Sequence, residues 1–407
     1  MYEIREGREE DRDSVVELLA KIFRPIETFE EEWVYGWREF WNRPTSKNWA
    51  FVATHMERVV ANLSFFKGNV NRIRGNPVCF GGVWAVGTEL EHRRQGLLKR
   101  LFQRAFPVMN EQGMVLSILD PSPYHGAQIA YEKCGYAVAE RRVRHIFPPN
   151  ALRSPEGNSD ITVRKLKNAE EHRKVADLEL GMSRYGSRVF MRAWHAWSAI
   201  FEYAIKNGQI FLFERGSEPV GCATCSIIRS DDNSTLHVSM TYYKSNDVLP
   251  SIIALINQLS TNVMNVEWIC EPQIPIQDFF QNIHRLKTQS IGTMMMRVIN
   301  FEDYCKSIQV PEQTEGKLIL KLTDSHCPWN EGIYRLDARN GNLEVRREND
   351  TQRAEFTLTP FQLSKVIGGL TPSSILQELG IITGSPETAR TLEAIFPSDS
   401  FLSYPRF

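Results

Sequence analysis

The sequence of 407 residues lacks the long apolar runs and the charge imbalance that mark several classes of protein. It has no run of about 18 apolar residues, so no membrane-spanning helix is expected. Its first residues, MYEIREGREEDRD, are charged and lack the apolar segment of a secretory signal peptide. The formal net charge of −1 argues against bulk attraction to nucleic acid or to a membrane surface. These absences predict a cytoplasmic protein.

Cysteine is also scarce, and its pattern argues against a disulfide framework or a structural metal site. The seven cysteines are odd in number and scattered, which favours reduced thiols. Cys222 and Cys225 form a CxxC within VGCATCSII, a stretch typical of a strand. Residues three apart on a strand point to opposite faces, and no second CxxC or HxxxH accompanies the pair. We therefore predict two buried core cysteines and no metal.

The chain is longer than one ordinary hydrophobic core, so two or three domains are expected. The stretch PPNALRSPEGNSD at 148–160 is the best candidate linker. Before it, the patterns predict the order β-α-α-β-β-β-α-β-α-β. That order includes helices over 8–22 and 94–110, and it ends with one strand over YAVAERRVRHIF, residues 136–147.

The segment after the linker partly repeats the first. It has a strand, ITVRKL, a two-strand hairpin, GQIFLFERGSEPVGCATCSII, and a strand, HVSMTYYKS, before the helix VLPSIIALINQLS. MMMRVINFEDYCKSI closes the segment. From about Lys317 the pattern changes to short strands, with a tight hairpin turn at Asn340-Gly341 and two later helices.

One stretch, EHRRQGLLKRLFQRAF at 91–106, has two arginines and a glycine directly before an amphipathic helix. The first amides of a helix lack partners within it and can bind a pyrophosphate. A glycine lets phosphate oxygens approach the backbone, and Arg93 and Arg94 add charged donors. The preceding strand, VWAVGT, can pair with an amide-bearing arm. Coenzyme A has these parts, although arginine pairs before helices are also common on solvated surfaces. The second segment has KSNDV at the corresponding place, without Arg-x-x-Gly.

Residues 83–101, VWAVGTELEHRRQGLLKRL, resemble the acetyl-CoA motif V-x-V-x-P-x-x-R-x-x-G-x-G/A of the GNAT superfamily of N-acetyltransferases. Leu90 replaces the usual proline and Leu98 the usual small residue. RRxGLL is typical of the enhanced intracellular survival (Eis) acetyltransferases. AYEKCGYAVA, IGTMMMRVINFEDY and GKLILKLTDSHCPWNEGIYRL are similar to further Eis segments, so the resemblance covers almost the whole chain.

This resemblance implies an α+β (mixed α/β) chain of tandem GNAT folds, the second degenerate, followed by a sterol-carrier-like α/β domain. The predicted boundaries are 1–150 for the catalytic GNAT domain, 151–305 for the second and 306–407 for the last, whose end reaches the active site. Acetyl-CoA is the implied co-substrate, and no metal is expected. The residues predicted to bind it are Val86, Gly87, Thr88, Arg93, Arg94, Gln95, Gly96, Leu97, Leu98, Lys99, Gly126 and Ala127.

Two residues carry the implied chemistry. Tyr131 stands where the family has its general acid, although a phenol with a pKa near ~10 protonates a thiolate near ~8.5 only with help from the site. Otherwise Tyr131 is a packing residue, the role expected of Tyr136. The terminal carboxylate of Phe407 is the implied base; the alternative is an inert tail. Asp120 and His125 are alternative bases.

The acceptor is less well defined. Trp37, with Trp33 and Trp41, and the acidic Glu27 would suit a cationic amine, although the tryptophans equally fit a core face. The resemblance implies an N-acetyltransferase for aminoglycoside-like or polyamine substrates and a homo-oligomer such as a hexamer. The alternatives are a protein lysine acetyltransferase and a non-catalytic protein that binds coenzyme A and an apolar ligand.

Overall fold

A computed structural model describes residues 1–23, 48–71, 78–121, 127–140, 142–153, 157–168, 171, 174–175, 178, 189–191, 204–205, 207, 209–230, 233–270, 274–291, 294–349 and 351–398. The chain divides into two compact units. The first unit comprises residues 1–139 and 294–398, and the second comprises residues 140–293.

The described residues of both units form strands and helices. In chain order the strands are β1 (Tyr2–Glu6), β2 (Asn48–His55), β3 (Arg58–Asn71), β4 (Val78–Thr88), β5 (Leu116–Leu119), β6 (Ala137–Val138), β7 (Val143–Phe147), β8 (Ile161–Lys165), β9 (Val189–Met191), β10 (Ile210–Arg215), β11 (Glu218–Ser230), β12 (Asn233–Tyr243), β13 (Asn265–Cys270), β14 (Lys287–Ser290), β15 (Met295–Val298), β16 (Gly316–Leu322), β17 (Gly332–Arg339), β18 (Asn342–Glu348) and β19 (Phe356–Leu358). The helices are α1 (Arg12–Phe23), α2 (Leu97–Glu111), α3 (Ala127–Glu132), α4 (Leu249–Leu259), α5 (Phe301–Ser307), α6 (Pro360–Gly368), α7 (Ser373–Glu378) and α8 (Pro386–Ile395).

The large sheet of the first unit has the strand order β1-β2-β3-β4-β5-β15-β6. Neighbouring residues of its strands face opposite sides, so Val52 packs with α1 and Phe51 belongs to the core that contains α2. The buried face of α2 has the three- and four-residue spacing of an amphipathic helix. Each face of the sheet therefore has its own apolar core.

The predicted helix over 94–110 begins later, at Leu97, because Arg94 and Gly96 both have positive φ, at 63° and 69°. The predicted helix over 8–22 begins as a 3₁₀ turn, Glu9–Asp11, before α1. In both cases the apolar spacing predicts the helix, and the local backbone of the turn sets its first residue.

The sheet of the second unit has the order β14-β7-β13-β12-β11-β10-β8. The prediction that Cys222 and Cys225 are buried core cysteines is confirmed, because both are buried and they lie in different clusters. Cys222 packs with Leu212, whereas Cys225 packs with Val238. The described residues contain no group of three or more His, Cys, Asp or Glu that could hold a metal ion.

One predicted strand is wrong. Residues 136–147 form two strands, and β6 pairs in the first unit's sheet while β7 pairs in the second unit's. Strand β15 is predicted to close the second segment, but it lies between β5 and β6 in the first unit's sheet. The alternating pattern of a strand does not encode its partner, so the sequence could not reveal this exchange. The predicted boundaries at 150 and 305 remain predictions.

A smaller sheet of the first unit has the order β18-β17-β16-β19. The predicted turn at Asn340-Gly341 is confirmed, since both residues have positive φ, 49° and 78°, as a tight two-residue hairpin requires. None of the helices in the described ranges has the length and apolar character needed to span a bilayer.

Candidate active site

Strand β4 carries a bulge at the place where it separates from β5. Asn62 of β3 lies opposite Gly87 and Ser64 opposite Trp84, so β4 has one residue more than its partner. The parallel pairing of β4 with β5 ends at Val83 and Leu119, while β4 continues to Thr88. The bulge residue Ala85 has φ +51°. Gly87 and Thr88 still pair with β3, but among the described residues the β5-facing edge of β4 beyond Val83 has no strand partner, so backbone groups on that edge are available to a bound molecule.

Asn62 holds this bulge in place. Its side chain is fully buried, and Nδ2 donates to the carbonyl oxygen of Ala85 at 2.6 Å and to Ser64 Oγ at 3.1 Å. Sequence analysis missed this residue. The available signal was a polar residue within the apolar strand VANLSFF, which a buried position tolerates only with hydrogen-bond partners.

The turn that follows β4 leads into the N-terminus of α2. A short 3₁₀ segment, Leu90–His92, precedes four exposed residues, Arg93–Gly96. Arg93 Nε donates to the carbonyl oxygen of Thr88 at 3.2 Å, which ties the turn to the strand end. Gly96 caps the helix with φ +69°, and a Cβ added there would meet no atom within 4 Å. The glycine is therefore needed for its backbone angle, and the space beside it is open.

Gly87 has a different reason to be glycine. A Cβ at this position would lie 2.5 Å from Ile22 Cδ1 of α1, a distance that real Cβ atoms do not adopt. The residue is buried, whereas its neighbours Val86 and Thr88 are half-buried. Close packing of α1 against the end of β4 thus fixes the strand next to the bulge.

Tyr131 lies on α3 with 8% of its surface exposed. Its ring makes edge contacts with Phe102 and Tyr136, at centroid distances of 6.3 Å and 6.1 Å. Burial raises the pKa of Tyr131 well above its ordinary value, and the neighbouring Cys134 raises that pKa further. The phenol therefore stays protonated at neutral pH, which is the state a general acid needs.

Tyr136 has a structural setting, as expected. It is fully buried, and its hydroxyl shares a 2.6 Å hydrogen bond with Ser117 Oγ. Burial raises its pKa as well. Because its hydroxyl already has a partner within the sheet, Tyr131 is the better placed of the two phenols to meet a reactant.

Several predicted site residues come together in one apolar cluster. Tyr131 and Leu97 are among its buried members, with Val83 and Leu119 from the two separating strands. Val86, Leu98 and Ala127 are half-buried residues packed against it. Arg94, Gln95 and Lys99 lie on the exposed side of the turn and first helical residues, outside this cluster.

The remaining predicted residues lie outside the described residues: the cofactor contact Gly126, the terminal base Phe407, the substrate residues Trp37 and Glu27 with Trp33 and Trp41, and the alternative base His125. The other alternative base, Asp120, directly follows β5 and is half-buried.

Comparisons with known proteins agree with this geometry. Residues 3–139 match the acetyltransferase (GNAT) domain, and residues 302–401 match the sterol carrier protein domain. A search of curated protein sequences finds no match.

Several solved structures share the fold over essentially their whole length. A GCN5-related N-acetyltransferase from Anabaena variabilis is 18% identical, with 98% of each chain covered and a TM-score of 0.82. A probable N-acyltransferase from Enterococcus faecalis V583 is 16% identical, with 100% of each chain covered and a TM-score of 0.83. Eis1 from Mycobacterium abscessus is 14% identical, with 100% of each chain covered and a TM-score of 0.75.

These matches confirm the predicted mixed α/β fold class, the resemblance to GNAT acetyltransferases with a sterol-carrier-like domain, and the enzyme class. GNAT domains use acetyl-CoA, and the bulged β4 and the turn before α2 lie within the matched domain. The chain therefore combines a GNAT acetyltransferase domain with a sterol carrier protein domain, and it shares its fold with Eis1.

Proposed function

We propose that this protein transfers the acetyl group of acetyl-CoA directly to an amine of a cationic small molecule, such as an aminoglycoside or a polyamine. One observation supports this most strongly. Tyr131, a buried phenol kept protonated, shares an apolar cluster with the separating ends of β4 and β5 and the first residue of α2. A general acid, a strand with free backbone groups and an anion-binding helix start thus lie in one domain.

The turn Arg93–Gly96 has the properties needed to hold the diphosphate of coenzyme A. α2 is 15 residues long, so its first amides carry the partial positive charge of a full helix dipole. Open space lies beside Gly96, and Arg93 and Arg94 supply charged donors at the surface. On this proposal Gln95, Leu97, Leu98 and Lys99 contribute backbone donors, and Gly126 and Ala127 contact the cofactor through their backbone.

Backbone groups of Val86, Gly87 and Thr88 would then face the pantetheine arm and the thioester. A backbone N–H directed at the carbonyl oxygen stabilises the negative charge that develops there during attack. The bulge held by Asn62 interrupts the regular pairing of β4 at Ala85 and Val86, directly before Gly87 and Thr88. Strand β4 would therefore both align the pantetheine arm and polarise the thioester carbonyl.

In the proposed step the amine nitrogen bonds to the carbonyl carbon and the carbon–sulfur bond breaks. Tyr131 Oη gives its proton to the leaving sulfur, and the proton lost from nitrogen passes to the base. Burial also raises the pKa of thiols in this cluster, as it raises the pKa of Cys134 to about 11. A thiolate leaving into the same apolar surroundings is thus more basic than in water, but burial raises the pKa of the phenol as well, so the transfer depends on holding Tyr131 Oη close to the sulfur.

The terminal carboxylate of Phe407 is the proposed base. Its unperturbed pKa is about 3.3–3.7, so it would act by orienting the amine, whose nitrogen must lose its extra proton before it attacks, and by accepting the proton that the nitrogen releases as the new bond forms. Glu27 and Trp37 are the proposed acceptor contacts, because a carboxylate and an aromatic face both attract an ammonium group.

The decisive experiment measures coenzyme A release with a thiol reagent from wild-type protein, acetyl-CoA and a panel of amines. We expect release with cationic amines above the rate without amine. If no amine accelerates release but acetyl-CoA binds, the protein is a binding protein. Release only with lysine-containing peptides would identify a protein acetyltransferase. Extending the chain by one residue after Phe407 should slow transfer, and an unchanged rate would remove the terminal base.

A further inference from the structure

Arg297 is a fully buried cation in the large sheet of the first unit. It lies on β15 opposite Ser117 of β5, and its guanidinium stands 4.4 Å over the ring of Phe106. Its Nη2 donates to Asp324 Oδ1 at 2.6 Å. A buried ion pair adds little stability by itself, because removing both charges from water is costly. The position therefore calls for another explanation.

Asp324 is itself held firmly. It is 4% exposed, and its Oδ1 also accepts the backbone amides of His326 and Cys327 at 3.2 Å and 3.1 Å. Asn330 Nδ2 donates to the other carboxylate oxygen at 3.3 Å. This carboxylate, within the sterol carrier protein domain, thus fixes one side of the guanidinium.

The other side of the guanidinium contacts the turn that follows the candidate acid. Arg297 Nη1 donates to the carbonyl oxygen of Cys134. The amides of Cys134 and Tyr136 both donate to the carbonyl oxygen of Tyr131, at 2.9 Å and 3.1 Å. A rigid guanidinium therefore bonds to the same short turn that closes on the backbone of Tyr131.

Gly135 lets this contact form. Its φ is +89°, and a Cβ there would lie 2.2 Å from Arg297 Nη1 and 2.6 Å from Pro360 Cβ. Its carbonyl oxygen accepts a 2.8 Å hydrogen bond from Ser364 Oγ on α6, a fully buried side chain. Two consecutive carbonyls of the turn, those of Cys134 and Gly135, are thus held by side chains from beyond residue 293.

We propose that Arg297 and Ser364 are positioning residues for Tyr131, and that the sterol carrier protein domain is part of the acetyl-transfer site through Asp324 and Ser364. This inference rests on the proposed role of Tyr131 as acid. We call the two hydrogen bonds, from Arg297 to the carbonyl of Cys134 and from Ser364 to the carbonyl of Gly135, the clamp. The clamp fixes the turn at the end of α3, so that the phenol stays within reach of the leaving sulfur. A misplacement of about 1 Å can cost a reaction about 10²-fold, so small loosening of this turn matters.

The test compares Ser364→Ala with Ser373→Ala. Ser373 lies in the same domain, is 1% exposed, and its Oγ has no hydrogen-bond partner among the described residues. Ser373→Ala therefore likewise removes a buried hydroxyl group, without removing a hydrogen bond to the turn. We expect Ser364→Ala to lower kcat about tenfold and to leave KM for acetyl-CoA within about twofold, whereas Ser373→Ala keeps kcat. In a Tyr131→Phe background, Ser364→Ala should have little further effect on kcat.

Hydrogen–deuterium exchange of the peptide covering 127–136 supplies a readout that needs no turnover. Ser364→Ala should raise exchange at the amides of Cys134 and Tyr136, and Ser373→Ala should not. Equal exchange in the two variants would overturn the clamp even if the wild type transfers acetyl groups. Raised exchange with undiminished kcat would overturn the positioning role. A wild type without transfer would instead defeat the proposed function, while the exchange data still decide on the clamp.

Discussion

The two units build the same strand irregularity and use it differently. In the second unit Cys222 lies opposite Tyr242 and Thr224 opposite Ser239, so β12 carries one extra residue, as β4 does in the first. In each unit four parallel pairs precede the bulge. They end at Val83 with Leu119 in one unit and at Val238 with Trp268 in the other. A bulged strand that separates from its parallel neighbour is therefore common to both units.

The two units differ in the side chains that lie between the separating strands, β4 and β5 in the first unit and β12 and β13 in the second. Trp268 is fully buried, and its Nε1 donates to Thr241 Oγ1 on β12 at 3.0 Å, so a hydrogen bond bridges the separating strands. By register Leu119 stands at the position of Trp268 and Val86 at that of Thr241. Neither first-unit residue can make such a bond. In the second unit a hydrogen bond between side chains thus joins the separating strands, whereas in the first unit the apolar side chains of Leu119 and Val86 stand at the corresponding positions.

The turns before the helices differ too. In the second unit the 3₁₀ segment Asn246–Val248 leads directly into α4. In the first unit Arg93–Gly96 separate the 3₁₀ segment from α2, with the positive φ of Gly96 at the junction. The polar residue that holds the bulge of β4 has no counterpart in the second unit, since Cys222 occupies there the register position of Asn62. A few residues, rather than the topology, distinguish a candidate site from a core.

The largest expected effect comes from removing the phenol that the second unit lacks. Residues 271–293, after β13, contain no tyrosine, whereas Tyr131 follows β5 in the first unit. We expect Tyr131→Phe to lower kcat about 10²–10⁴-fold, the range for loss of a general acid. Acetyl-CoA affinity, measured by titration calorimetry, should change less than about twofold because the diphosphate site is untouched.

The pH dependence of the wild type tests the same residue. Because burial raises the pKa of Tyr131, the protonated acid persists to higher pH than a free phenol near about 10. Loss of this proton should therefore not lower kcat between pH 7 and about pH 10. An alkaline decline in that interval that disappears in Tyr131→Phe would show that Tyr131 titrates there, which contradicts the raised pKa and not the role as acid. Tyr136→Phe is the matched control and should keep turnover while lowering stability.

A smaller effect is expected from giving the first unit the residue of the second. Asn62→Cys removes the donor to the buried carbonyl of Ala85. An unpaired buried group costs about 1–3 kcal/mol of unfolding free energy. We expect kcat to fall about tenfold as the bulge relaxes, measured by coenzyme A release.

Ser64→Ala is the control for this change. It removes the weaker contact at 3.1 Å and leaves the 2.6 Å bond from Asn62 to Ala85. Its kcat should stay near the wild-type value. If both variants slow transfer equally, packing around Asn62 rather than the bulge carbonyl is responsible.

Much of the first unit could be predicted from the sequence because its signals are local. Apolar spacing gave α1 and α2, alternation gave β2, β3 and β4, and Asn340-Gly341 gave a hairpin turn. The Arg93–Gly96 turn was recognisable because its residue types follow from helix-terminus chemistry.

Features that depend on pairing over long distances could not be predicted. β15 carries a single charge within an apolar run, MMMRVIN, yet nothing local indicates that it joins β5 and β6 or that Arg297 reaches Cys134. The same holds for Asn62, whose partner Ala85 is 23 residues away. Polar residues within apolar strands are the signal to examine, because burial obliges them to find partners.

The next prediction concerns the helix junction. Gly96→Ala should weaken acetyl-CoA binding about five- to tenfold, because a left-handed angle costs a non-glycine residue about 1–2 kcal/mol. The first helical amides would then turn away from the diphosphate. Gly113, with φ +72° and open space around it after the other end of α2, gives the matched control. Gly113→Ala should lose similar stability in thermal unfolding and keep its affinity. Equal loss of affinity in both would remove Gly96 from the diphosphate site.

The smallest effect on transfer is expected from opening the closed gap of the second unit. Trp268→Phe leaves Thr241 Oγ1, which is fully buried, without its donor. The unfolding free energy should fall by about 1–3 kcal/mol, measured by denaturant unfolding. Coenzyme A release at 25 °C should stay within about twofold of wild type, since the bridge only fills a core.

The double variant Trp268→Phe with Thr241→Val separates the hydrogen bond from the packing. Removing both partners of a buried hydrogen bond is nearly neutral, so the double variant should regain part of the stability lost in Trp268→Phe. If instead transfer falls while the protein remains folded, the second unit is coupled to the reaction. In that case the hydrogen bond between Trp268 and Thr241 contributes to acetyl transfer as well as to stability. The bulged strands of the two units then have more similar roles than their side chains suggest.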